Sequence, residues 1–341
     1  MKIDHTFVLT KTYRQILFQM LNEDFFRQFP DEQACKVHFK KQRETRGIIC
    51  KNCGSVRHFW MANQEKWQCY ECKSRTSLTG GTLMHRSKMS LYDWYKCMHY
   101  ITTTKTITFS AFQMMRNLGL KHHKSVWEMM HKIRVSMGNR DAEYKLQGEM
   151  EIDDAFFEVV MHRNIVKDGK RIKVDKNDEP YVYAETKRGR GTQNKRPVMV
   201  MVESRATKTT NPNKKDRQMG FVKMVAMDGL KENGIAYEIV KAVDRNSMVI
   251  SDKYPSYSVL KELVAKHNPQ VVESKDAMKK LPWVHTTISN AKRKFLGTYH
   301  SVNDKYLQNY LNEFVYKLNR SDFTRDQFEG LFNVAVSKTW N

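Results

Sequence analysis

The sequence predicts an α+β protein assembled from several units. A helical segment is expected over residues 1–46, a four-cysteine zinc module over 47–80, a helical unit of helix-turn-helix character over 81–147, and a mixed-sheet domain over 148–341. Three observations carry this division. Two Cys-x2-Cys pairs, Cys50/Cys53 and Cys69/Cys72, stand fifteen residues apart. Helical apolar spacing gives way to short β-like runs beyond the polar stretch Met137–Gly148. At 341 residues the chain exceeds one ordinary domain, and its 40% hydrophobic content can fill more than one core.

The amino-terminal part reads as two helices between residues 12 and 44. Ile16, Leu17, Met20, Leu21, Phe25 and Phe26 recur at helical spacing and Pro30 ends the run. Asp31 is placed to cap the second helix, with Ala34, Val37 and Phe39 on its apolar side and Cys35 as a small buried hydrophobe. The two cysteine pairs that follow sit in short turns, Cys-Lys-Asn-Cys-Gly and Cys-Tyr-Glu-Cys-Lys. That spacing suits four thiolates closing on one tetrahedral Zn2+, a structural site with no open coordination position. Such an ion lets about 30 residues fold without a sizeable core. Lys51, Arg57, His58, Lys66, Lys73, Arg75, Trp60 and Trp67 give the module a basic and aromatic surface, although Trp67 reads better as its small core.

Ser90 can cap a helix holding Leu91, Trp94, Tyr95, Met98 and His99, in which Cys97 is a packing residue. Between 107 and 135, a helix closing at Leu118-Gly119, a tight connection and a second helix give the helix-turn-helix layout. The second helix offers Lys121, His122, His123 and Lys124 near its start and Lys132 and Arg134 further on, with Lys121 and Lys124 as the candidate DNA contacts; plain helical packing makes the same pattern.

Beyond residue 148 the β-like runs are Met150–Val160, Tyr181–Glu185, Pro197–Glu203, Phe221–Met227 and Met248–Ser251. Helical stretches follow at Tyr257–His267, Val284–Leu296 and Val302–Leu318. Strands first and helices later indicate an α+β or mixed-sheet domain. The last helix carries the stripe Tyr306, Leu307, Tyr310, Leu311, Phe314, Val315 and Leu318 toward a core, with Ser301 or Asn303 as its cap and Lys305, Lys317 and Arg320 facing outward.

Charge sets the class of partner. The chain carries 59 Lys+Arg against 37 Asp+Glu, a net charge of +22, which fits a polyanion bound through phosphate neutralisation and counterion release. Lys187-Arg-Gly-Arg-Gly-Thr-Gln-Asn-Lys-Arg196 is a Gly-punctuated basic turn, so Lys187, Arg188, Arg190, Lys195 and Arg196 are candidate DNA contacts; a merely solvated loop is the alternative. The first eleven residues lack the apolar core of a secretory signal, and no run approaches the about 20 apolar residues of a membrane span. A cytoplasmic protein with reduced cysteines and no membrane partner is expected.

The chemistry is expected between Val284 and His300. In a helix, His285 and Lys292 share one face nearly two turns apart, so a metal ligand and a phosphate-holding cation would look into one cleft. Asp153 and Asp252, each in or at the end of a β-like run, are the candidate carboxylates, since Asp is depleted in strands. Carboxylate-held divalent ions can activate a water or a 3′-hydroxyl and stabilise a leaving oxygen at a scissile phosphate. Asp154 remains the alternative to Asp153, because only one of the two faces a given side of the sheet. His285 has a second reading as a capping or packing residue, and Arg293 and Lys294 compete with Lys292 for the phosphate. Arg293 is kept as a further DNA contact.

The chain resembles the insertion-sequence transposases of the IS1595 group (ISXO2-like) over nearly all its length. Phe29-Pro-Asp-Glu, the two Cys pairs, Ser77-Leu-Thr-Gly-Gly-Thr-Leu-Met-His-Arg-Ser-Lys, Leu91-Tyr-Asp-Trp, Glu151-Ile-Asp-Asp, Gly189-Arg-Gly-Thr and Ser251-Asp-Lys-Tyr carry the likeness. Lys292-Arg-Lys-Phe-Leu-Gly-Thr-Tyr-His with Tyr310-Leu-Asn-Glu-Phe is its most specific part. The resemblance implies an RNase H-like catalytic domain, an amino-terminal zinc ribbon, and metal-dependent cleavage of element ends followed by strand transfer of the 3′-hydroxyl into target DNA. It places the first acid on Asp153, the second on Asp252, the third ligand on His285 where such enzymes often have Glu, and the following basic residue on Lys292. Mg2+ or Mn2+ is the implied catalytic cofactor. The implied partners are the element's terminal inverted repeats, target DNA and further copies of the chain, at a bacterial nucleoid. A domesticated relative that binds DNA without cutting, and a structural zinc protein assembling on RNA, are the rival classes.

Overall fold

In the computed structural model, the described residues are 22–103, 108–160, 163–167, 170–174, 195–207, 216–271, 277–300, 302–320 and 326–337. The chain separates into two compact units: Met1–Arg140 with Arg320–Asn341, and Asp141–Asn319. The start of the first expected helix, the expected strand Tyr181–Glu185 and the turn holding Lys187, Arg188 and Arg190 lie outside the described residues.

In the first unit, residues 22–28 are helical. Helix α1 (Glu32–Arg46) follows and is capped as its sequence requires, the Asp31 carboxylate accepting the Ala34 N–H at 2.8 Å. Loss of such a cap costs about 1 kcal/mol. Strands β1 (His58–Met61), β2 (Lys66–Cys69) and β3 (Arg75–Ser77) form an antiparallel three-stranded sheet. Trp67 on β2 is buried, its ring 4.6 Å from that of Trp60, and its indole N–H reaches Glu44 on α1 at 3.3 Å. Helix α2 (Leu91–Thr103) has a double start: the Ser90 hydroxyl accepts the Asp93 N–H, and the Glu32 carboxylate accepts those of Leu91 and Tyr92 at 3.1 and 2.7 Å. Its buried Tyr95 meets Phe328 and Phe332 of the last helix, Asp326–Ser337. That helix therefore packs with the amino-terminal elements, not within the sheet domain where its position in the sequence put it. Cys35 and Cys97 are fully buried.

Helix α3 (Ala111–Asn117) begins in a capping box between Ser110 and Gln113, and α4 (His123–Asp141) follows a break at Gly119, whose φ of 69° suits glycine. Two helices joined by a short break thus span residues 111–141, and Arg134 of the second is buried at 1% exposed, packed inward. Lys121 and Lys124 are exposed at the start of α4.

The second unit is built on a mixed five-stranded sheet. Its strands are β4 (Glu149–Glu158), β7 (Lys195–Ala206), β8 (Arg217–Ala226), β9 (Met248–Asp252) and β10 (Lys266–Gln270), in the order β10-β9-β4-β7-β8. The hairpin β5 (Arg163–Lys167) and β6 (Lys170–Val174) stands apart. β4 is central, parallel to β9 and antiparallel to β7, so the first strand of the domain has neighbours on both sides. Helix α5 (Glu232–Ala242) covers one face with Ile235 and Ile239, packing on Met150, Ile152 and Val249. Helices α6 (Pro282–Thr298) and α7 (Leu307–Asn319) cover the other, packing on Ala155 and Phe157 of β4 and on Val159 just past it. Strand alternation thus turns Met150 and Ile152 of β4 toward α5 and Ala155 and Phe157 toward α6.

Several expectations need correction. Tyr257–His267 is not one helix: a 3-10 turn over Pro255–Val259 and a helical turn over Leu260–Leu263 lead into β10. Pro269 in β10 is tolerated because that strand pairs only with β9 and forms the sheet edge. Helix α5 was not expected between two strands, and it interrupts the strands-then-helices order. Lys317 does not face outward; it is 3% exposed, and its ammonium is 3.1 Å from the equally buried Glu313 one turn earlier on α7. Asn303, not the helix proper, caps a short 3-10 turn ahead of α7.

Candidate active site and metal-binding clusters

Asp153 in the middle of β4 and Asp252 at the carboxyl end of the adjacent parallel β9 bring the first acids together. Ile152 of β4 pairs with Ser251 of β9, so Asp153 and Asp252 are the next residues on each strand. Both fall on the α6 face: Ala155 and Phe157 share it with Asp153, and Ile250 shares it with Asp252. One oxygen from each of Asp153, Asp154 and Asp252 lies within 4.8 Å of the others. The Asp153 carboxylate is also held from within its own strand, accepting the Asp154 N–H at 2.8 Å. Asp252 accepts the Tyr254 N–H at 3.1 Å, which fixes the turn out of β9.

His285 reaches this cluster from α6. Its Nε2 is 3.6 Å from Asp153 Oδ2 and, although buried, makes no hydrogen bond among the described residues. Burial lowers the imidazole pKa, keeping the ring neutral with a lone pair to offer. Two ligand atoms on one ion at about 2.1 Å each can stand no more than about 4.2 Å apart, so this separation is within reach of a shared cation. The unpartnered nitrogen facing the Asp153 carboxylate fits a divalent ion, although His285 itself falls outside the group of acids whose donors all lie within 4.8 Å of one another. Asp154 is also in the carboxylate cluster, although by alternation its strand position belongs to the opposite face, and the geometry leaves both Asp residues as candidates.

Lys292 lies elsewhere on the same helix. At 1.5 Å per residue it is about 10 Å along α6 from His285, with its ammonium 5.9 Å from the Phe157 ring centre. It lines a cavity of about 260 Å3 with Lys195, Glu158, Phe157, Phe295 and His300. Burial, then the nearby Lys195, lowers the Lys292 pKa. His300, with a φ of 54°, and Tyr299 both return their N–H to Phe295 O and close the helix end. Arg293 is exposed beside Lys292. Arg196 points inward instead: its guanidinium is held by Asp228 and, at 3.3 Å, by Asp304, leaving the side chain 25% exposed. It ties β7 to the segments after β8 and before α7.

Sequence reading passed over Glu151. It is 4% exposed, and one of its oxygens accepts the N–H groups of Trp283 and Val284 at 2.8 and 2.9 Å. Burial pushes this carboxyl up to about 7, against the opposing pull of those two bonds and of Arg217. A second acid two positions before Asp153, on the same strand face, was the available signal.

In the first unit, the four cysteines form a second cluster. The knuckles are alike: Gly54 and Lys73 return their N–H to Cys50 O and Cys69 O, and both have positive φ. Cys50 Sγ is 3.5 Å from Cys72 Sγ and Cys53 Sγ is 3.6 Å from Cys69 Sγ, with all four within 4.8 Å of one another. Disulfides need about 2.05 Å, whereas thiolates at about 2.3 Å from a tetrahedral zinc stand about 3.8 Å apart. The donor set fits zinc.

A profile of the ISXO2-like transposase domain (DDE_Tnp_IS1595) matches residues 145–319, just over half of the chain and nearly all of the second unit. The chain belongs to this transposase family. Among solved structures, one described as the Mos1 mariner paired end complex with Mn aligns at 11% identity, covering 95% of this chain and 94% of that one, with a TM-score of 0.28. A likeness that low carries no inference about fold or function. No curated protein matches. Among the described residues, no helix is long and apolar enough to cross a membrane.

Proposed function

We propose that this transposase-family chain is an Asp-Asp-His variant of the DDE enzymes, cutting at the ends of an insertion sequence and joining the freed 3′-hydroxyl to target DNA. The single observation that supports it best is the approach of His285 Nε2 to Asp153 on the sheet face shared with Asp252. The central position of β4 in a mixed sheet fits the RNase H-like core that the family implies.

Asp153, Asp252 and His285 would hold the Mg2+ or Mn2+. Bound there, the ion would supply activation of the attacking oxygen and stabilisation of the leaving one. The two aspartates bring the negative charge that balances a dication, and His285 adds a donor without charge. Lys292 and Lys195 would hold a phosphate of the bound strand about 10 Å from the carboxylates, a point charge that aligns the DNA rather than acting on the scissile bond. In the first unit a Zn2+ held by Cys50, Cys53, Cys69 and Cys72 would make a zinc ribbon. That ribbon, with Lys121 and Lys124 at the start of α4, would contribute to recognition of the terminal repeats. Lys187, Arg188, Arg190 and Arg293 would add nonspecific phosphate contacts, and pairing of two ends calls for a multimer on DNA.

The test is Asp153→Ala assayed twice, for divalent-ion-dependent cleavage of a terminal-repeat duplex and for binding to it. Cleavage should fall at least a thousandfold with binding within about threefold of wild type, since a carboxylate is lost and no phosphate contact is. Undiminished cleavage overturns the assignment; binding without cleavage in the wild type too would leave a non-cutting DNA-binding regulator.

A further inference from the structure

We infer that Glu151 is a positioning residue that sets His285 at the metal site by anchoring the start of helix α6 to strand β4. This rests on the proposed reading of Asp153, Asp252 and His285 as ligands of a divalent ion.

The start of α6 is unusual in how its free donors are met. A helix leaves its first N–H groups without internal partners. Here Pro282 occupies the first turn and has no N–H, Leu281 offers no side-chain cap, and the internal ladder begins with His285 N–H to Leu281 O at 3.2 Å. Trp283 and Val284 are the donors left over, and one carboxylate oxygen of Glu151 takes both, at 2.8 and 2.9 Å. The cap thus comes from a strand far away in sequence instead of from the helix's own preceding residue. A carboxylate is also the favoured partner at the positive end of a 17-residue helix dipole.

The consequence is geometric. Glu151 and Asp153 stand two residues apart on one face of β4, and the residue after Val284 is His285. Glu151 therefore binds the backbone next to the imidazole while its neighbour on the strand carries the carboxylate that the imidazole approaches to 3.6 Å. At the other end of the helix, Phe295 packs on Phe157 of the same strand with ring centres 5.3 Å apart. The apolar contact sets the distance between helix and strand, and the two directional bonds at Glu151 hold the first turn of the helix in place along its axis. A slide of about 1.5 Å, one residue of rise, exceeds the about 0.6 Å that separates the present 3.6 Å from the about 4.2 Å limit for two ligands of one ion, so a slide directed away from Asp153 would break the pairing. Glu32 serves the start of α2 in the same manner, accepting from Leu91 and Tyr92 in the other unit, and no residue of that helix belongs to a candidate metal cluster among the described residues. The device is thus a general way this chain fixes a helix; at α6 it also sets a ligand.

The test uses the full zinc-loaded chain and Mn2+ as the probe, with affinity read by electron paramagnetic resonance and folding by thermal melting. Glu151→Gln keeps an oxygen that can accept both N–H groups and should bind Mn2+ within about threefold of wild type. Glu151→Ala should fold but bind at least tenfold more weakly, and Glu151→Ala combined with His285→Ala should bind no more weakly than His285→Ala alone, because both act through one ligand. Should Glu151→Ala fail to fold, Glu151→Asp, whose carboxylate is drawn back by one methylene, carries the same two expectations. Wild-type affinity in the folded Ala or Asp variant, or losses that add to that of His285→Ala, overturns the inference. If wild type and Asp153→Ala both ignore Mn2+, it is the metal-site reading that has failed, and this inference with it.

Discussion

His285 Nε2 and Asp153 Oδ2 are 3.6 Å apart, one on a helix and the other on the central strand of a mixed sheet. The separation is too long for a hydrogen bond and short enough for one cation to lie between them. A histidine in this place changes the chemistry of the site: a neutral imidazole adds no charge, and nitrogen is a softer donor than Mg2+ favours. Cleavage should accordingly run faster with Mn2+ than with Mg2+, by about tenfold, and His285→Glu should narrow that gap. Parallel rate measurements in the two ions check this; equal rates in wild type count against nitrogen ligation.

Lys292 and Lys195 face one cavity, whereas Arg196 is enclosed by Asp228 and Asp304. Lys292→Ala should weaken duplex binding at every sequence alike and reduce the slope of log K against log salt by about 0.9, one phosphate contact. Arg196→Ala should leave that slope unchanged and lower the melting temperature. A salt titration of both variants separates the two roles, and a slope altered by Arg196 alone reverses them.

The four thiols predict one tightly held zinc per chain. Elemental analysis should return close to one equivalent, and Cys69→Ser should remove it and open residues 47–80 to protease, because a module this small lacks a core to fold without metal. Mn2+ binding in the other unit should survive the same substitution.

Gly220 shows how closely β7 and β8 approach. A Cβ there would stand 2.6 Å from Arg205 Nε, 2.7 Å from Glu203 Oε2 and 2.8 Å from Glu203 Cβ. Glu203 cannot yield easily: it is 3% exposed, sits at the register shift between Val202 and Ser204, and accepts the N–H groups of Gln147 and Phe221. Gly220→Ala should destabilise the second unit by about 1–3 kcal/mol, as overpacking does, measurable by urea unfolding. An unchanged midpoint would show that the strands can separate at no cost.

Much of this was readable before the structure because the informative residues are local signals. Paired cysteines, capping Asp31 and Ser90, and aspartates out of place in β-like runs each announce themselves within a few positions. What stayed hidden depends on partners distant in sequence. Lys317 looks like a solvated cation until Glu313 is seen buried with it. Arg196 reads as one more cation of a basic turn until its ion pairs with Asp228 and Asp304 are seen. β10, with Lys, His, Asn and Pro in five residues, has no strand signal of its own and exists because β9 offers it an edge. Glu151 was part of a recognised motif, yet its task is set by a helix start over a hundred residues later.

The central claim is that one divalent cation is shared by Asp153, Asp252 and His285. Anomalous diffraction from crystals of the full chain grown with Mn2+ tests it directly. The account predicts a peak within about 2.5 Å of a carboxylate oxygen of each aspartate and of His285 Nε2. A peak held by Asp154 with His285 turned away, or no peak on that face of the sheet at saturating Mn2+, contradicts it.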